Sequence, residues 1–492
     1  MLTLTAGPPP ATAVPASQRR PRLRLPAVHP AVALVCAACA ALVRQAMHTG
    51  LSGDVFYEVA AGRWMLAHRA ILRHDVFTYS VRGRPWLDEE WGFQVLLAWL
   101  VAHIGPFSYW LASGGACAGA LVASVALWRR SGARWLWAGA LSVVAAGGLS
   151  VGLMARPQDL SYLFFALLLL LLCLGERNAR WLVALPALMA AWANIHGSFL
   201  LGLTVLVLEL GWAALSSPRD NRRVRDLGAC LVASTLATFA NPAGPRLLAY
   251  AFALSTSPAL SSISEWQSPD FHLPLLLAVV AGPLLLIVAA LAVARGCLAP
   301  QRLALALALF LATLHAVRFT PYFDLAACAA LAPWQPLGRE TLQPKLFTVP
   351  AAIILSGALV AGPHVPAGAT QVNGPFGSPV AATDFLAAQR GRSFTTYWWG
   401  DYLDYRGLPV FVDGRTDLYF GTGVLATYMK VAELGVGPDE FFSRWHVRWV
   451  MWQEGTALAT YLAHDPRWAK AYEAQGAVVF ERLRQAQRGA VS

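Results

Sequence analysis

The sequence predicts an all-α polytopic membrane protein carrying a small α/β domain at its C-terminal end. Of its 492 residues 57% are hydrophobic and only 13% charged, whereas soluble domains carry roughly 25% Asp, Glu, Lys and Arg. A chain this apolar cannot cover its own surface with polar groups, which excludes disorder and a soluble multidomain protein. Apolar runs able to supply ~20-residue spans recur between residues 27 and 361. Beyond Gly362 the composition turns polar and aromatic for ~130 residues, the size of a small domain. The net charge of +11, from 38 Lys plus Arg against 27 Asp plus Glu, clusters between apolar runs, where it marks topology. It forms no nucleic-acid patch.

Residues 1–26 are rich in Pro, Ala and Arg and read as a cytoplasmic tail. They end in Arg19-Arg20-Pro21-Arg22-Leu23-Arg24 before the apolar run 27–43, which is long and lacks a small-residue cleavage site, so it is an uncleaved first span. A large first outer loop, 48–106, follows; its polar, aromatic part, 48–91, is too long for a turn. The span 107–128 ends in Arg129-Arg130, which fixes that end in the cytoplasm and puts the loop outside. Segment 92–104 is too short for a span, and counting it as one would carry Arg129-Arg130 outside. It is expected as an interfacial helix along the outer leaflet.

Further spans are expected at 135–153, 160–174, 181–193, 199–215, 227–239, 273–294, 303–314, 319–331 and 346–361. Loops 176–180, 219–225, 295–302 and 339–345 sort as cytoplasmic by charge; 154–159, 194–198, 241–272 and 315–318 fall outside. This makes about eleven spans, with the N-terminus in and the C-terminus out. The near absence of Lys beside abundant Arg, Ala and Leu indicates a GC-rich bacterial genome, so the membrane is read as a bacterial cytoplasmic (inner) one. In the extracytoplasmic domain, 362–492, the runs 410–412, 449–452 and 477–480 read as strands and 428–434 and 457–464 as helices. No internal repeat and no Gly-rich phosphate loop is visible. The seven Cys lie in or beside apolar runs, and the CxxC of Cys36 and Cys39 reads as packing.

Ionisable residues that do not mark topology fall on the outer side. The first loop carries Asp54, Tyr57, Glu58, Arg63, Asp75, Arg84, Asp88, Glu89 and Glu90; later outer loops add Arg156, Gln158, Asp159, Asn194, His196, Arg246, Glu265, Gln267, Asp270, His315 and Arg318. Charges at span ends are costly unless they face a wet cavity or a partner, so a polar chamber roofed by the first loop is expected. Asp54 is either a general base on an acceptor hydroxyl or the N-cap of a helix over 55–67. The three adjacent acids Asp88, Glu89 and Glu90 either repel one another until a metal, an Arg or a proton intervenes, or form the acidic first turn of the next helix. Arg156, beside Pro157 and Gln158, either holds a lipid-borne phosphate or snorkels to a carboxylate. Arg246 and Arg318 repeat the outward Arg, and His196 either binds substrate or satisfies backbone carbonyls.

The arrangement Gly53-Asp54-x-x-Tyr57-x-x-Ala60-x-x-Arg63, then Asp75, Phe77-Thr78, Gly83-x-Pro85-Trp86 and the acidic cluster, resembles the first outer loop of GT-C fold glycosyltransferases. It is similar to bacterial relatives of the protein O-mannosyltransferases, the lipid A aminoarabinose transferase and the Rgt-type galacturonosyltransferases. Two departures stand out: Val55 follows Asp54 where relatives often have a second acid, and Glu89-Glu90-Trp91 replaces a Lys-Pro-Pro. The resemblance implies sugar transfer from a polyprenyl-phosphate donor to a glycan, lipid or protein acceptor, in the bilayer, with Asp54 as catalytic base. It implies substrate-binding roles for Asp88, Glu90, Arg156, Gln158, His196 and Arg318, with Glu90 or Asp88 either positioning sugar hydroxyls or, together with Asp54, binding a divalent cation. In the C-terminal domain, Asp413-Gly414 within 412–417 reads as a strand ending in a turn, and the Trp-rich run 397–402 as a carbohydrate platform or as the face that rests on the membrane. The competing readings are a secondary transporter, which usually shows an internal repeat and charges near the midplane, and an inactive GT-C-like scaffold.

Overall fold

The structure is a computed structural model describing residues 29, 31–48, 53–216, 221–256, 263–294, 296–337, 377, 379–474 and 476–483. The tail 1–26, the expected span 346–361 and the boundary at 361/362 lie outside the described residues. Helix α1, Val32–His48, is followed by α2, Asp54–His68, and α3, Trp91–Ile104. Among the described residues four helices are long and apolar enough to cross a membrane: Phe107–Arg130, Pro157–Arg177, Phe199–Ser216 and Pro274–Val293. Shorter apolar helices include Trp135–Val151, Ala179–Ala193 and Pro300–His315.

The helix Thr320–Leu331 is buried at every residue and packs against Pro300–His315, Trp135–Val151 and Pro274–Val293, so it forms the axis of the bundle. Outward faces remain apolar: Leu285, Val288 and Leu311 are all more than half exposed, an arrangement that lipid tolerates and water does not. Basic residues gather at one end of the bundle. There Arg302 donates to Ser131 Oγ and lies 3.6 Å from Glu176, while Arg177 donates to the Arg130 carbonyl.

Two expectations for the helical part change. Segment 241–272 is not only loop, because Arg246–Ser255 is helical. The span expected at 227–239 is a helix over Asn221–Ala237, its start lying in the charged sequence read as loop.

The C-terminal part holds a four-stranded sheet in the order β1-β2-β4-β3. The strands are β1 Arg392–Thr395, β2 Val447–Gln453, β3 Trp468–Ala474 and β4 Ala477–Arg482. β1 runs parallel to β2, while the β2–β4 and β4–β3 pairs are antiparallel. β2 is covered on both faces: Val450 and Trp452 join one apolar cluster, Trp449 and Met451 another, as alternation across a pleat requires. The first cluster also contains Ala61, Met65, Leu72 and Trp86, so one face of the sheet unit packs onto the first loop. The run 410–412 is not a strand of this sheet. Val410 makes an isolated bridge to Thr78, and its carbonyl accepts from Tyr79 N at 2.9 Å.

Candidate functional site

The first loop, the connections after Val151 and Ala193, the segment 263–273 and the sheet unit meet at the end of the bundle opposite the basic cluster. Helix α2 begins at Asp54, with Gly53 in the N-cap position and no side-chain cap bond, so Asp54 is not a cap. Its carboxylate instead accepts from Arg156 Nη2 at 2.7 Å. Arg156 directs Nη1 to Glu265 at 3.1 Å, and Glu265 also lies 3.4 Å from Arg318. Arg318 donates to Gln158 Oε1 at 3.1 Å and stacks over Trp266 at 4.3 Å. Asp54, Arg156, Glu265 and Arg318 thus form an alternating line of charge. A fifth of the Asp54 side chain reaches solvent; burial pushes its carboxyl above the usual range, while the Arg156 guanidinium opposes that shift.

Four residues along α2, Glu58 lies on the same face as Asp54, buried at 1% exposure. Glu58 and Glu90 lie close enough for the charge of one to act on the other. Burial first, then Glu90 and Asp88, drive the Glu58 carboxyl well above its ordinary value. Burial also raises Glu89 and Glu90 to about 8 each. Asp88 is not in a helical first turn; its Oδ1 accepts from Glu90 N and from Gln94 Nε2, at 3.1 and 3.0 Å. His196 Nδ1 is 2.7 Å from Ser198 Oγ, and its Nε2 lies 3.8 Å from Glu90. Burial and the two nearby arginines lower His196 to about 3, which keeps the ring neutral.

Close backbone approach sets this wall. Gly92 N donates to the Asn194 carbonyl at 2.9 Å, and a Cβ on Gly92 would lie 2.4 Å from that oxygen. Trp91 Nε1 donates to Asn194 Oδ1 at 2.8 Å.

The sheet unit closes the site. Asp417 accepts from Trp86 Nε1 at 2.9 Å and from Tyr250 Oη at 2.6 Å, and its charge adds to that of Glu89 and Glu90. Helix Tyr397–Tyr405 packs on α2, bringing Asp401 Oδ2 to 3.1 Å from where a Cβ on Gly53 would stand. Arg415, 1% exposed, donates to Asp413 through Nε and Nη2 and to Asp75 at 2.5 Å, and lies under the Trp86 and Phe77 rings.

Of the expected site residues, Asp54, Arg156, Gln158 and Arg318 come together on one line, and Asp88, Glu90 and His196 on the adjoining wall. Arg246 is exposed. Glu58 and Glu265 were named among the outer ionisable residues, and Asp401 and Asp417 lie in the runs 397–402 and 412–417, but none of the four was given a role, although the i, i+4 spacing of Asp54 and Glu58 was readable. Among the described residues, the set of potential ligands in which one oxygen from each residue lies within 4.8 Å of the others is Asp401, Asp404 and Asp413. The acids around Asp54 do not converge in this way, so they do not fit a cation cage.

No protein-family model and no curated protein matches the chain by sequence. Solved structures do match. The oligosaccharyltransferase of Archaeoglobus fulgidus in its apo form aligns over 86% of this chain and 69% of its own, at 11% identity and a TM-score of 0.58. ArnT from Cupriavidus metallidurans bound to undecaprenyl phosphate aligns over 92% and 98%, at 15% identity and 0.54. The arabinofuranosyltransferase AftD from mycobacteria aligns over 94% and 40%, at 13% identity and 0.52. With its buried helical bundle, long first loop and C-terminal sheet unit, the chain has the GT-C fold of membrane glycosyltransferases.

Proposed function

We propose that this chain is an inner-membrane glycosyltransferase that moves a sugar from a polyprenyl-phosphate donor to a glycan, lipid or protein acceptor on the extracytoplasmic side. The observation that carries the reading is the line Asp54–Arg156–Glu265–Arg318. It sets a carboxylate of raised basicity beside two guanidiniums suited to a phosphate. Similar folds hold such lipids: ArnT was solved with undecaprenyl phosphate, and AglB from Archaeoglobus fulgidus with a dolichol-phosphate and an inhibitory peptide.

In the proposed reaction the acceptor hydroxyl oxygen attacks the anomeric carbon and its proton passes to Asp54. The carbon–oxygen bond to the lipid phosphate breaks, and its electron pair leaves on the phosphate. Arg156 and Arg318 take up that charge as it develops. A single base acting through the acceptor gives inversion at the anomeric carbon. Gln158 fixes Arg318, the Asp88–Glu90 wall receives sugar hydroxyls, and neutral His196 donates or accepts without adding charge. No step runs through a metal ion.

The test is turnover of radiolabelled polyprenyl-phosphate sugars by the full chain in nanodiscs, wild type against Asp54→Asn. Transfer or donor hydrolysis in wild type, lost by at least ~100-fold in a folded Asp54→Asn, supports the reading. Failure of wild type to bind or consume any such donor overturns it.

A further inference from the structure

The C-terminal unit buries more negative charge than its neighbours neutralise. Asp401 and Asp404 lie three residues apart on the helix Tyr397–Tyr405. Asp413 stands on the segment leading into Arg415, and Asp75 reaches in from the first loop. All four are at most 4% exposed. The one guanidinium among them, Arg415, spends Nε and Nη2 on Asp413 and Asp75. Among the described residues Asp401 and Asp404 make no ion pair, and the charge of Arg415 acts on them only from its place between Asp413 and Asp75. Isolated carboxylates in a dry site are too costly to persist.

A second observation points to a ligand. Neither oxygen of Asp404 receives a hydrogen bond, and neither does Oδ2 of Asp401. These orphaned oxygens lie in the cluster where one ligand atom from each of Asp401, Asp404 and Asp413 falls within 4.8 Å of the others. The remaining oxygen of Asp401 is fixed by Gly414 N at 2.6 Å, which orients that carboxylate.

We infer that Asp401, Asp404 and Asp413 form a site for one hard divalent cation of the calcium, magnesium or manganese class. An all-oxygen, all-carboxylate donor set selects hard cations over zinc or copper, which favour nitrogen and sulfur. The ion ties the helix Tyr397–Tyr405 to the 412–415 segment. It thereby holds Asp401 against Gly53, one residue from Asp54, so the site braces the candidate base without being part of the proton transfer. The inference does not depend on the transferase reading, because its readout is metal content.

The alternative occupants are protons, since burial raises Asp401 and Asp404 well above the usual carboxylate range. The full chain in nanodiscs, stripped with EDTA and re-equilibrated separately with calcium, magnesium and manganese, is analysed for bound metal. Terbium luminescence sensitised by Trp399 reports occupancy independently. The expected result is about one ion per chain in wild type and under about 0.1 in Asp404→Asn, with the Glu90→Gln variant retaining its ion. Wild type that takes up no stoichiometric metal at pH 7 or at pH 8.5 overturns the inference, as does binding that survives in both Asp404→Asn and Asp401→Asn. If Asp404→Asn does not fold, Asp401→Asn and the wild-type stoichiometry decide.

Discussion

Arg156 holds Asp54 with one nitrogen and Glu265 with the other, and a lysine has no second nitrogen with which to reproduce that span. Its single ammonium is a point charge without the planar fork. Arg156→Lys is therefore expected to keep the fold and lose about 10- to 100-fold in kcat/KM for the lipid donor, the worth of one charge-assisted hydrogen bond. Steady-state kinetics at varied donor concentration check this, and an unchanged value would remove Arg156 from the phosphate site. Asp54 and Arg156 were legible from position alone, because ionisable residues at outer span ends are expensive. The pairings of Glu265 and Asp417 were not: the partners lie 109 and 331 residues away, and no local pattern encodes such contacts.

Among the elements, α3 is the most sensitive. Its first turn presses on the connection after Ala193 so closely that Gly92 has no room for a methyl group. Gly92→Ala is expected to push α3 and Asn194 apart at a cost of about 1–3 kcal/mol, the usual scale for overpacking. The check is thermal unfolding in nanodiscs, with loss of protection at the Asn194 connection by hydrogen exchange. Helix α3 was readable as a helix from its apolar run, 92–104 against the observed Trp91–Ile104. Strand β3 was not, since Trp-Ala-Lys-Ala-Tyr-Glu-Ala has the composition of a helix and is held by pairing with β4. The run 410–412 misled in the opposite sense. It is apolar because it is buried, and it bonds to the first loop instead of to the sheet.

For the whole molecule, the acid wall makes stability depend on pH. Glu89 and Glu90 titrate near 8 in the folded protein against an ordinary value of 4.5. Between those limits the folded state holds protons that the unfolded chain has released, so stability is full below about pH 4.5 and is lost as the pH rises through about 8. Thermal midpoints of the full chain are expected to fall between about pH 5 and pH 8.5, and Glu89→Gln with Glu90→Gln to flatten that slope. A midpoint that rises over this interval would show that the wall is ionised throughout. The fold class was legible in composition, because a shortage of charge leaves bilayer as the remaining solvent. The docking of the sheet unit onto the first loop was not, since it rests on contacts such as Arg415 with Asp75, 340 residues apart.

That separation also governs how the molecule comes into being. Chains fold as they are synthesised, N-terminal parts first, so the first loop emerges with Asp75 and Trp86 facing no partner until residues 415 and 417 arrive. For most of translation the nascent protein has its helical bundle but no finished chamber. A chain ended before Asp413 is expected to insert normally yet leave the first loop open to protease from outside, whereas the full chain resists. Limited proteolysis of the two in sealed vesicles would reveal a protein whose last quarter is the latch on its first.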